Sequence, residues 1–401
     1  MKLISHGAHR LAALAIAGTA ILLPAGALAA TGSAATVSPL HRAGRANPVT
    51  VYVANYESGT VTPIPAATNR AGKAITVGFG PEFIAVTPNG KTAYVSSEGA
   101  VTAIRTATNT VLKTISTGNI NAGDIAITPN GKTVYVASGS SVIPIAAATN
   151  KAGHAIAVGS QANVIAVNPN GRTVYVAGID LANINAGLVT PISSATGKAG
   201  HAATVGGWPD AIAVTPNGRT VYVTDDEMGE GNMVTPVSTA TGKAGQPITV
   251  GFGPRYIAIT PDGKTAYVAN AESGTVTPVS TATGKAGKAI TVGGGPGTIA
   301  ITPDGKTAYV ADATSNAVTP IRTATNTALK AIEVGIDPLS VAITPDGDTA
   351  YVANTGGVTY SSDTVTPIRT ATNTALKAIK VGTGPIFIAI TTPAPCGRGS
   401  R

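Results

Sequence analysis

The dipeptide Tyr-Val recurs eight times along this chain, and neighbouring copies lie 40 to 47 residues apart. Between the copies, short runs rich in Val, Ile and Thr alternate with clusters of Gly, Pro, Asn and Asp, as strands alternate with tight turns. A β-rich unit repeated at this period is typical of a propeller. We therefore predict an all-β fold consisting of a single β-propeller. The eight tyrosines are Tyr52, Tyr94, Tyr135, Tyr175, Tyr222, Tyr267, Tyr309 and Tyr351.

One repeat, residues 256–292, shows what each unit builds. It contains four β-rich runs, which we name strands A (Ile-Ala-Ile-Thr), B (Tyr-Val-Ala-Asn), C (Val-Thr-Pro-Val) and D (Ala-Ile-Thr-Val). Strands A and B are joined by Thr260-Pro261-Asp262-Gly263, in which proline presets the turn and glycine can adopt the left-handed conformation. Each repeat is therefore expected to form one four-stranded blade.

The repeat is offset from the ends of the chain. The first unit begins with strand B at Val51-Tyr52-Val53, and the last ends with strand A at 387–390. We therefore expect the C-terminal strand A to pair with the N-terminal strands B, C and D, which closes the ring and protects its edges. Eight copies of each strand predict eight blades, and seven blades with one irregular unit is the alternative.

The remaining parts of the chain predict an exported protein. Residues 1–30 have a basic start, a short apolar run and a small-x-small motif, as in a secretory signal peptide. Residues 31–48 are expected to be a flexible leader, 49–393 the propeller, and 394–401 a disordered tail. An uncleaved N-terminal anchor is the alternative, and no later segment is long and apolar enough to span a membrane. The single cysteine, Cys396, excludes a disulfide framework.

Three sequence motifs resemble a known repeat. Tyr-Val-Ala-Asn, Thr-Pro-Asp-Gly-Lys-Thr and Val-Thr-Pro-Ile-x-Thr-Ala-Thr-Asn are similar to the YVTN family β-propeller repeat. That repeat occurs in bacterial YncE-like secreted proteins and archaeal surface-layer proteins. The resemblance implies a propeller and a secreted or cell-surface location, and it implies no reaction. Lactonase-type propellers are enzymes, but here their resemblance is architectural only.

The predicted topology separates the charges by sign. The D–A and B–C turns share one face, which we name the acidic face because it receives fourteen acidic residues and one basic residue, Arg255. The A–B and C–D turns form the basic face, with the other twenty basic residues of 49–393 and five acidic ones. Such fields attract oppositely charged partners. We expect a protein or cell-envelope partner on the acidic face, and nucleic acid or another polyanion on the basic face as an alternative.

Three B–C loops are longer than the others, and all three map to the acidic face. They span 178–187, 225–232 and 354–363. Insertions in a regular array often mark the binding face. The second loop is the densest acidic cluster of the chain, and with a neighbouring aspartate it could bind Ca²⁺, which takes six to eight oxygen ligands. A solvated acidic loop is the alternative. The candidate metal ligands are Asp180, Asp225, Asp226, Glu227 and Glu230.

A candidate ligand pocket lies beside this loop. Trp208, the only tryptophan, precedes Asp210 in a D–A turn, and we expect Phe252 to occupy the corresponding place one blade further on. Together with Arg255 and Tyr256 they could form an aromatic-walled acidic pocket for sugars or cationic ligands. The alternative is that these rings close the mouth of the channel or pack between blades.

The sequence contains none of the common catalytic motifs: no metal-spaced His/Cys cluster, no nucleophile elbow and no phosphate loop. We therefore assign no catalytic residue. The predicted function is a monomeric, non-catalytic binding or interaction scaffold that uses the acidic face. The alternatives are a lactonase-like hydrolase or lyase at the channel mouth, and polyanion binding by the basic face.

Overall fold

The computed structural model describes residues 49–118, 122–226 and 231–392. The predicted signal peptide, leader and tail lie outside these residues, as do Cys396 and the candidate metal ligands Glu227 and Glu230. No helix within the described part of the chain is long and apolar enough to cross a membrane.

The described residues form eight separate antiparallel sheets, each with the strand order A-B-C-D. This confirms the prediction of an all-β propeller with eight blades. We number the blades 1 to 8 by the order of their strands B. Two short 3₁₀ helices, Ala313–Ser315 and Gly357–Thr359, lie in the B–C loops of blades 7 and 8.

The strand bounds follow the repeat. Strands A, from blade 1 to blade 8, are Pro385–Ile390, Ile84–Val86, Ala122–Ile127, Ser160–Val167, Pro209–Val214, Pro254–Ile259, Pro296–Ile301 and Pro338–Ile343. Strands B are Thr50–Asn55, Thr92–Ser97, Thr133–Ser138, Thr173–Asp180, Thr220–Asp225, Thr265–Asn270, Thr307–Asp312 and Thr349–Asn354. Strands C are Thr60–Pro65, Ala100–Arg105, Ser141–Ala146, Gly187–Ser193, Met233–Ser238, Thr275–Ser280, Ala317–Arg322 and Thr364–Arg369.

The outer strands D are short. They are Ile75–Thr76, Thr110–Ser116, Ile156–Ala157, Ala203–Val205, Ile248–Thr249, Ile290–Thr291, Ile332–Glu333 and Ile379–Lys380. In four blades a second two-residue piece precedes strand D, at Lys151–Ala152, Lys285–Ala286, Thr327–Ala328 and Thr374–Ala375.

Proline in strand C accounts for the interrupted outer strand. In seven blades the residue of strand C that pairs with the repeated tyrosine is a proline, as in the pair Tyr52 and Pro63. Because proline has no N–H, strand D cannot complete its ladder there. In blade 1 a single hydrogen bond, from Gly72 N–H to the Pro63 carbonyl (2.7 Å), spans the gap. Blade 2 has Ala103 instead, and its strand D, Thr110–Ser116, is unbroken.

The ring closes as predicted. Strand A of blade 1 comes from the C-terminal end of the propeller, Pro385–Ile390, and pairs with strand B at Thr50–Asn55. In that register Tyr52 lies opposite Ala389. The Thr50 N–H also donates to Thr391 Oγ1 at 2.8 Å. Both ends of the propeller are therefore fixed in one sheet, which leaves no open edge at the closure.

The repeated tyrosine links each blade to the next. Tyr52 of blade 1 is fully buried, and its hydroxyl donates to Asn109 Oδ1 of blade 2 at 2.6 Å. The same bond joins Tyr94 to Asn150, Tyr267 to Asn326, Tyr309 to Asn373, and Tyr351 to Asn69. All five asparagines have φ near +50°, a conformation that asparagine and glycine tolerate best.

The corresponding C–D turns of blades 4, 5 and 6 carry glycine at this left-handed position: Gly197, Gly242 and Gly284. Glycine adopts the same backbone conformation but has no side chain to accept the hydroxyl. Tyr222 of blade 5 accordingly reaches only the Thr281 carbonyl of blade 6, at 3.4 Å. The links between blades are therefore unequal around the ring.

Side chains of strands A fill the axis. Phe83 of blade 2 and Tyr256 of blade 6 come from opposite sides of the ring and belong to one buried cluster. Phe83 meets Phe387 with ring centroids 5.6 Å apart at 61°. Asp124 is fully buried, and its Oδ2 accepts the Ile165 N–H of the next blade at 3.0 Å. Burial raises the pKa of Asp124 well above its usual range. The axis is thus a packed core at this level.

The observed register corrects two charge assignments. Glu333 pairs with Ala317, and Lys380 pairs with Thr364, at the start of strand C. Both residues therefore lie at the acidic-face end of the outer strand and not on the basic face. The short length of strand D is the reason, because the sequence does not show where a two-residue strand ends. These two corrections offset one another in the charge of each face, while Asp124, also assigned to the acidic face, is buried in the axis.

Candidate functional site

The acidic face contains a partly buried cluster of charged side chains between blades 5 and 6, which we name the 5/6 cleft: Asp210, Asp226, Arg255 and Glu272. Asp210 lies in strand A of blade 5, and Asp226 follows strand B of the same blade. Arg255 lies in strand A of blade 6 and Glu272 in the B–C turn of that blade. The cluster therefore depends on two neighbouring blades being held in register.

Arg255 connects the carboxylates of the two blades. Its Nε lies 3.6 Å from Asp226 Oδ2, and its Nη2 lies 3.1 Å from Glu272 Oε1. The Asp226 side chain is only 6% exposed, whereas that of Arg255 is 30% exposed. The arginine therefore compensates a buried charge and still presents part of its guanidinium at the surface.

Asp210 and Asp226 are neighbouring carboxyl groups, and each affects the pKa of the other. Burial, and then the charge of Asp226, raise the pKa of Asp210 well above its usual range. Burial also raises the pKa of Asp226, and Arg255 opposes that shift. Ionising both of these neighbouring carboxyl groups is therefore costly. Asp210 Oδ2 and Asp226 Oδ1 are buried and have no hydrogen-bond partner.

Asp225 and Trp208 support the backbone of this cleft. Asp225 Oδ1 accepts the Trp208 N–H at 3.2 Å, and the Asp226 N–H donates to the Trp208 carbonyl at 3.2 Å. A Cβ on Gly206 would lie within 1.5 Å of Asp225 Oδ2, so only glycine fits there. Asp225 is thus committed to positioning the D–A turn. Within the predicted acidic cluster, Asp225 holds the backbone of the D–A turn, whereas Asp226 belongs to the 5/6 cleft and faces Arg255.

The structure places the predicted aromatic residues apart. The Phe252 side chain is 53% exposed, while Tyr256 is 8% exposed and packs in the axis. Burial, and then the Asp124 charge, raise the pKa of Tyr256. The strand register also corrects the expected equivalence of Trp208 with Phe252. Pro209 and Pro254 occupy matching positions, so Trp208 corresponds to Gly253.

The predicted metal ligands are also distributed. Asp180 lies at the end of strand B of blade 4, where its Oδ1 accepts the Ala182 N–H at 2.8 Å. Across residues 49–118, 122–226 and 231–392, no group of three or more His, Cys, Asp or Glu side chains is arranged to hold a metal ion. In the 5/6 cleft, Arg255 already supplies the positive charge. Calcium binding by loop 225–232 stays a prediction.

A second cluster on the same face was not predicted from the sequence. We name it the 1/2 cleft: Tyr56, Phe79, Glu82, Glu98 and Tyr360. The rings of Tyr56 and Tyr360 stack with centroids 5.2 Å apart at 26°, and Phe79 lies 6.3 Å from Tyr56. The signal that could have found it is the segment Gly-Phe-Gly-Pro, which precedes both Glu82 and Arg255.

The carboxylates of the 1/2 cleft interact with one another. Burial, and then the charge of Glu98, raise the pKa of Glu82 to about 7. Burial and then Glu82, Tyr360, Glu98 and Glu57 raise the pKa of Tyr56 to about 12. Among the described residues, no salt bridge reaches Glu57, Glu82 or Glu98. The field in this cleft is therefore negative and uncompensated.

Comparison with known proteins supports a β-propeller. The family model described as "Lactonase, 7-bladed beta-propeller" matches residues 237–380, which include Arg255 and Glu272 and end before the closure strand. The match covers about a third of the chain, whose complete ring has eight blades. No curated protein matches the chain.

Several solved structures share the fold. The Kuenenia stuttgartiensis hydrazine synthase is 23% identical, with 73% of this chain and 96% of that chain covered at a TM-score of 0.59. The dihydro-heme d1 dehydrogenase NirN is 14% identical, with 88% and 77% covered at a TM-score of 0.72. A putative 6-phosphogluconolactonase from Bacteroides fragilis is 20% identical, with 86% and 98% covered at 0.58. At these identities the likeness shows the fold alone.

Proposed function

We propose that this protein is an exported, non-catalytic binding propeller that holds a hydroxyl-rich component of the cell envelope in its 5/6 cleft. One observation carries the proposal. Asp210 Oδ2 and Asp226 Oδ1 are buried acceptors without a partner, and they lie in a cluster whose arginine is partly exposed. Buried polar atoms are almost always paired, so unpaired ones at a surface cluster favour a ligand that supplies donors.

A polysaccharide matches this chemistry. Its hydroxyl groups can donate to the two carboxyl groups, and Arg255 can donate to its oxygen atoms. Exposed Phe252 and partly buried Trp208 lie in the D–A turns beside the cluster and offer apolar surface to the faces of sugar rings. The acidic face also carries the three long B–C loops, and loops on a rigid scaffold commonly carry binding residues.

Two sequence features support the location. Residues 1–30 have the pattern of a secretory signal, and the repeat resembles one found in secreted and surface-layer proteins. An envelope polymer would be accessible to a protein exported in this way.

The test is retention of the protein by purified cell-wall polysaccharide, compared between the wild type and the variants Asp210→Asn and Asp226→Asn. Hydrogen bonds to charged groups contribute about 1.5 to 3 kcal/mol, so each variant should bind about ten- to a hundredfold more weakly. Asp363→Asn is the matched control, because it removes the same charge from the same face at a carboxylate already paired with Lys380 (3.0 Å). Melting curves confirm that each variant is folded.

Two results would overturn the proposal. One is that the wild type shows no retention on any wall polysaccharide. The other is that Asp363→Asn loses as much binding as Asp226→Asn, because general loss of negative charge would then explain the effect.

A lactonase-like hydrolase is the second candidate, favoured by the raised pKa values of the neighbouring Asp210 and Asp226 carboxyl groups beside Arg255. A carboxyl group whose pKa is raised towards neutrality can act as a general acid or base, and an arginine can stabilise a developing oxyanion. The matching of residues 237–380 to the lactonase description supports the same possibility. Lactone turnover that is lost in Asp210→Asn would support this candidate, and no turnover across a panel of lactones would eliminate it.

A further inference from the structure

The 1/2 cleft has an aromatic wall built by three different turns. Tyr360 comes from the long B–C loop of blade 8, Tyr56 from the B–C turn of blade 1, and Phe79 from the D–A turn that leads into blade 2. Tyr56 contacts both of the other rings. Phe79 is nevertheless 61% exposed. An aromatic ring that contributes to a cluster and stays open to solvent offers its surface to something outside the chain.

The backbone is shaped to bring these groups together. Tyr360 has φ +48°, a left-handed conformation that is costly for a bulky residue and tends to occur at functional sites. Gly80 has φ +61°, and a Cβ there would lie 3.2 Å from Tyr56 Cε2 and 3.5 Å from Glu98 Cγ. At Gly384 a Cβ would lie 3.0 Å from Tyr360 Cβ and 3.2 Å from Glu57 Cγ. The rings and carboxylates therefore converge from both sides.

The charge of this cleft differs from that of its counterpart. Glu82 and Arg255 occupy the same position of the repeat, directly after the proline that begins strand A. In the 5/6 cleft the arginine lies between two carboxylates of neighbouring blades. In the 1/2 cleft that position carries a third carboxylate, beside Glu57 and Glu98. The cation that the protein supplies to one cleft is absent from the other.

We propose that the 1/2 cleft binds an alkylammonium cation, with Phe79 and the accessible part of Tyr360 against its alkyl groups, the buried Tyr56 packed behind both rings, and Glu57, Glu82 and Glu98 around its charge. Aromatic rings attract such cations through the negative faces of their π systems, and carboxylates strengthen the attraction. A neutral apolar ligand would gain nothing from three carboxylates. A bare metal ion would gain little from three rings, and the described residues contain no group arranged to hold one. This inference is independent of the function proposed for the 5/6 cleft.

The cation requirement is tested by titrating the intact propeller with choline in a calorimeter at pH 8 and low salt. The control ligand is 3,3-dimethylbutanol, in which a carbon atom replaces the quaternary nitrogen. Choline is expected to bind, and the neutral analogue is expected to bind at least about tenfold more weakly. The reason is that cation–π pairing contributes about 0.5 to 2 kcal/mol per ring, and the carboxylates add their attraction for the positive charge. Equal binding of both compounds, or no binding of choline at millimolar concentration, would overturn the proposal.

The location is tested with a matched pair of variants. Phe79→Ala and Phe252→Ala each remove a largely exposed phenylalanine that precedes Gly-Pro at the same place in the repeat, so neither should impair folding. Phe79→Ala is expected to weaken choline binding about three- to thirtyfold, while Phe252→Ala leaves it unchanged. Equal losses in the two variants, or no loss in Phe79→Ala, would contradict the assignment to the 1/2 cleft.

The carboxylates give the binding a characteristic pH dependence. The pKa of Glu82 is raised to about 7. The titratable groups of the cleft around it are Glu98, Glu57, Tyr56 and Tyr360. The carboxylates attract a cation when they are ionised, and the tyrosine rings attract one while they are neutral. Choline affinity should therefore rise between pH 6 and pH 8, and Glu82→Gln should remove that rise. A pH profile that is identical in Glu82→Gln would exclude a role for this carboxylate.

Discussion

The 1/2 and 5/6 clefts have the same backbone framework on opposite sides of the ring, and they have opposite electrostatic characters. Each is formed where a Gly-Phe-Gly-Pro turn enters strand A beside the end of strand B of the preceding blade. In one cleft the residue after the proline is Arg255, which pairs with Asp226 and Glu272. In the other it is Glu82, which has no counter-ion among the described residues.

The comparison shows how a repeat protein acquires different sites at low structural cost. The blades determine where the side chains project, and one substitution at a turn determines whether a cleft is neutralised internally or left open to a cation. In an internal ion pair each charge compensates the buried charge of the other, whereas an uncompensated carboxylate costs stability and gains affinity for a cationic ligand. The predictions below test this difference, beginning with the largest expected effect.

Removing the internal cation should destabilise the 5/6 cleft strongly. Arg255→Gln leaves Asp226 buried without its partner, and loss of one member of a buried pair costs about 3 kcal/mol or more. The free energy of unfolding at pH 7, from urea titration, measures the effect. The loss should shrink as the pH is lowered, because Asp210 and Asp226, whose pKa values are raised, then take up protons. The exposed Arg322 on the basic face provides the control, and a similar loss in Arg322→Gln would show that the effect is not specific to the cleft.

Removing the charge of Glu82 should have the opposite effect. Because its pKa in the folded protein is about 7 instead of 4.5, the native state binds this proton more tightly than the unfolded chain does. Ionisation of the Glu82 carboxyl group therefore lowers the free energy of unfolding as the pH rises from about 4.5 to 7. Glu82→Gln should raise the free energy of unfolding by about 3 kcal/mol at pH 8 and by little at pH 4.5. The same substitution at Glu272 should not stabilise, and a stabilised Glu272→Gln would contradict the contrast between the clefts.

The links between blades beneath the two clefts should differ by a smaller amount. Tyr52→Phe removes the hydrogen bond to Asn109 at the 1/2 interface and leaves a partly buried acceptor unpaired, so we expect a loss of about 1 kcal/mol. Tyr222→Phe removes only the longer contact with the Thr281 carbonyl at the 5/6 interface and should cost less than about 0.5 kcal/mol. Thermal melting of the two variants compares them directly, and equal shifts would show that the asparagine does not strengthen the link.

Much of the architecture could be predicted because the same pattern of strand and turn residues occurs in eight successive units. The four β-rich runs of each unit predicted the blades. Because the first unit begins with strand B and the last ends with strand A, the sequence also predicted closure by the strand that ends at Ile390. The role of the tyrosine could not be predicted. Its partner Asn109 lies 57 residues away in a C–D turn of the next blade, and only the packing of blades brings the two together.

The positions of the candidate site residues could be predicted less well than the fold. The structure brings Asp210, Asp226 and Arg255 together on neighbouring turns of blades 5 and 6, and their binding of a ligand or metal stays a prediction. The assignment of Tyr256 to a pocket wall does not match its position in the axis, since the sequence does not show which way a strand A residue points at the bulge next to Pro254.

The sequence by itself determined the blades, their number, the closure of the ring and the division of its turns between two faces, because these follow from a local pattern of strands and turns repeated at one period. Only the tertiary structure decided which side chains meet between blades. Tyr56 and Tyr360 are about 300 residues apart in the sequence and become neighbours because the ring closes between blades 8 and 1. Burial then decided which carboxyl groups have a raised pKa, since the cost of an ionised group depends on the water and charges around it.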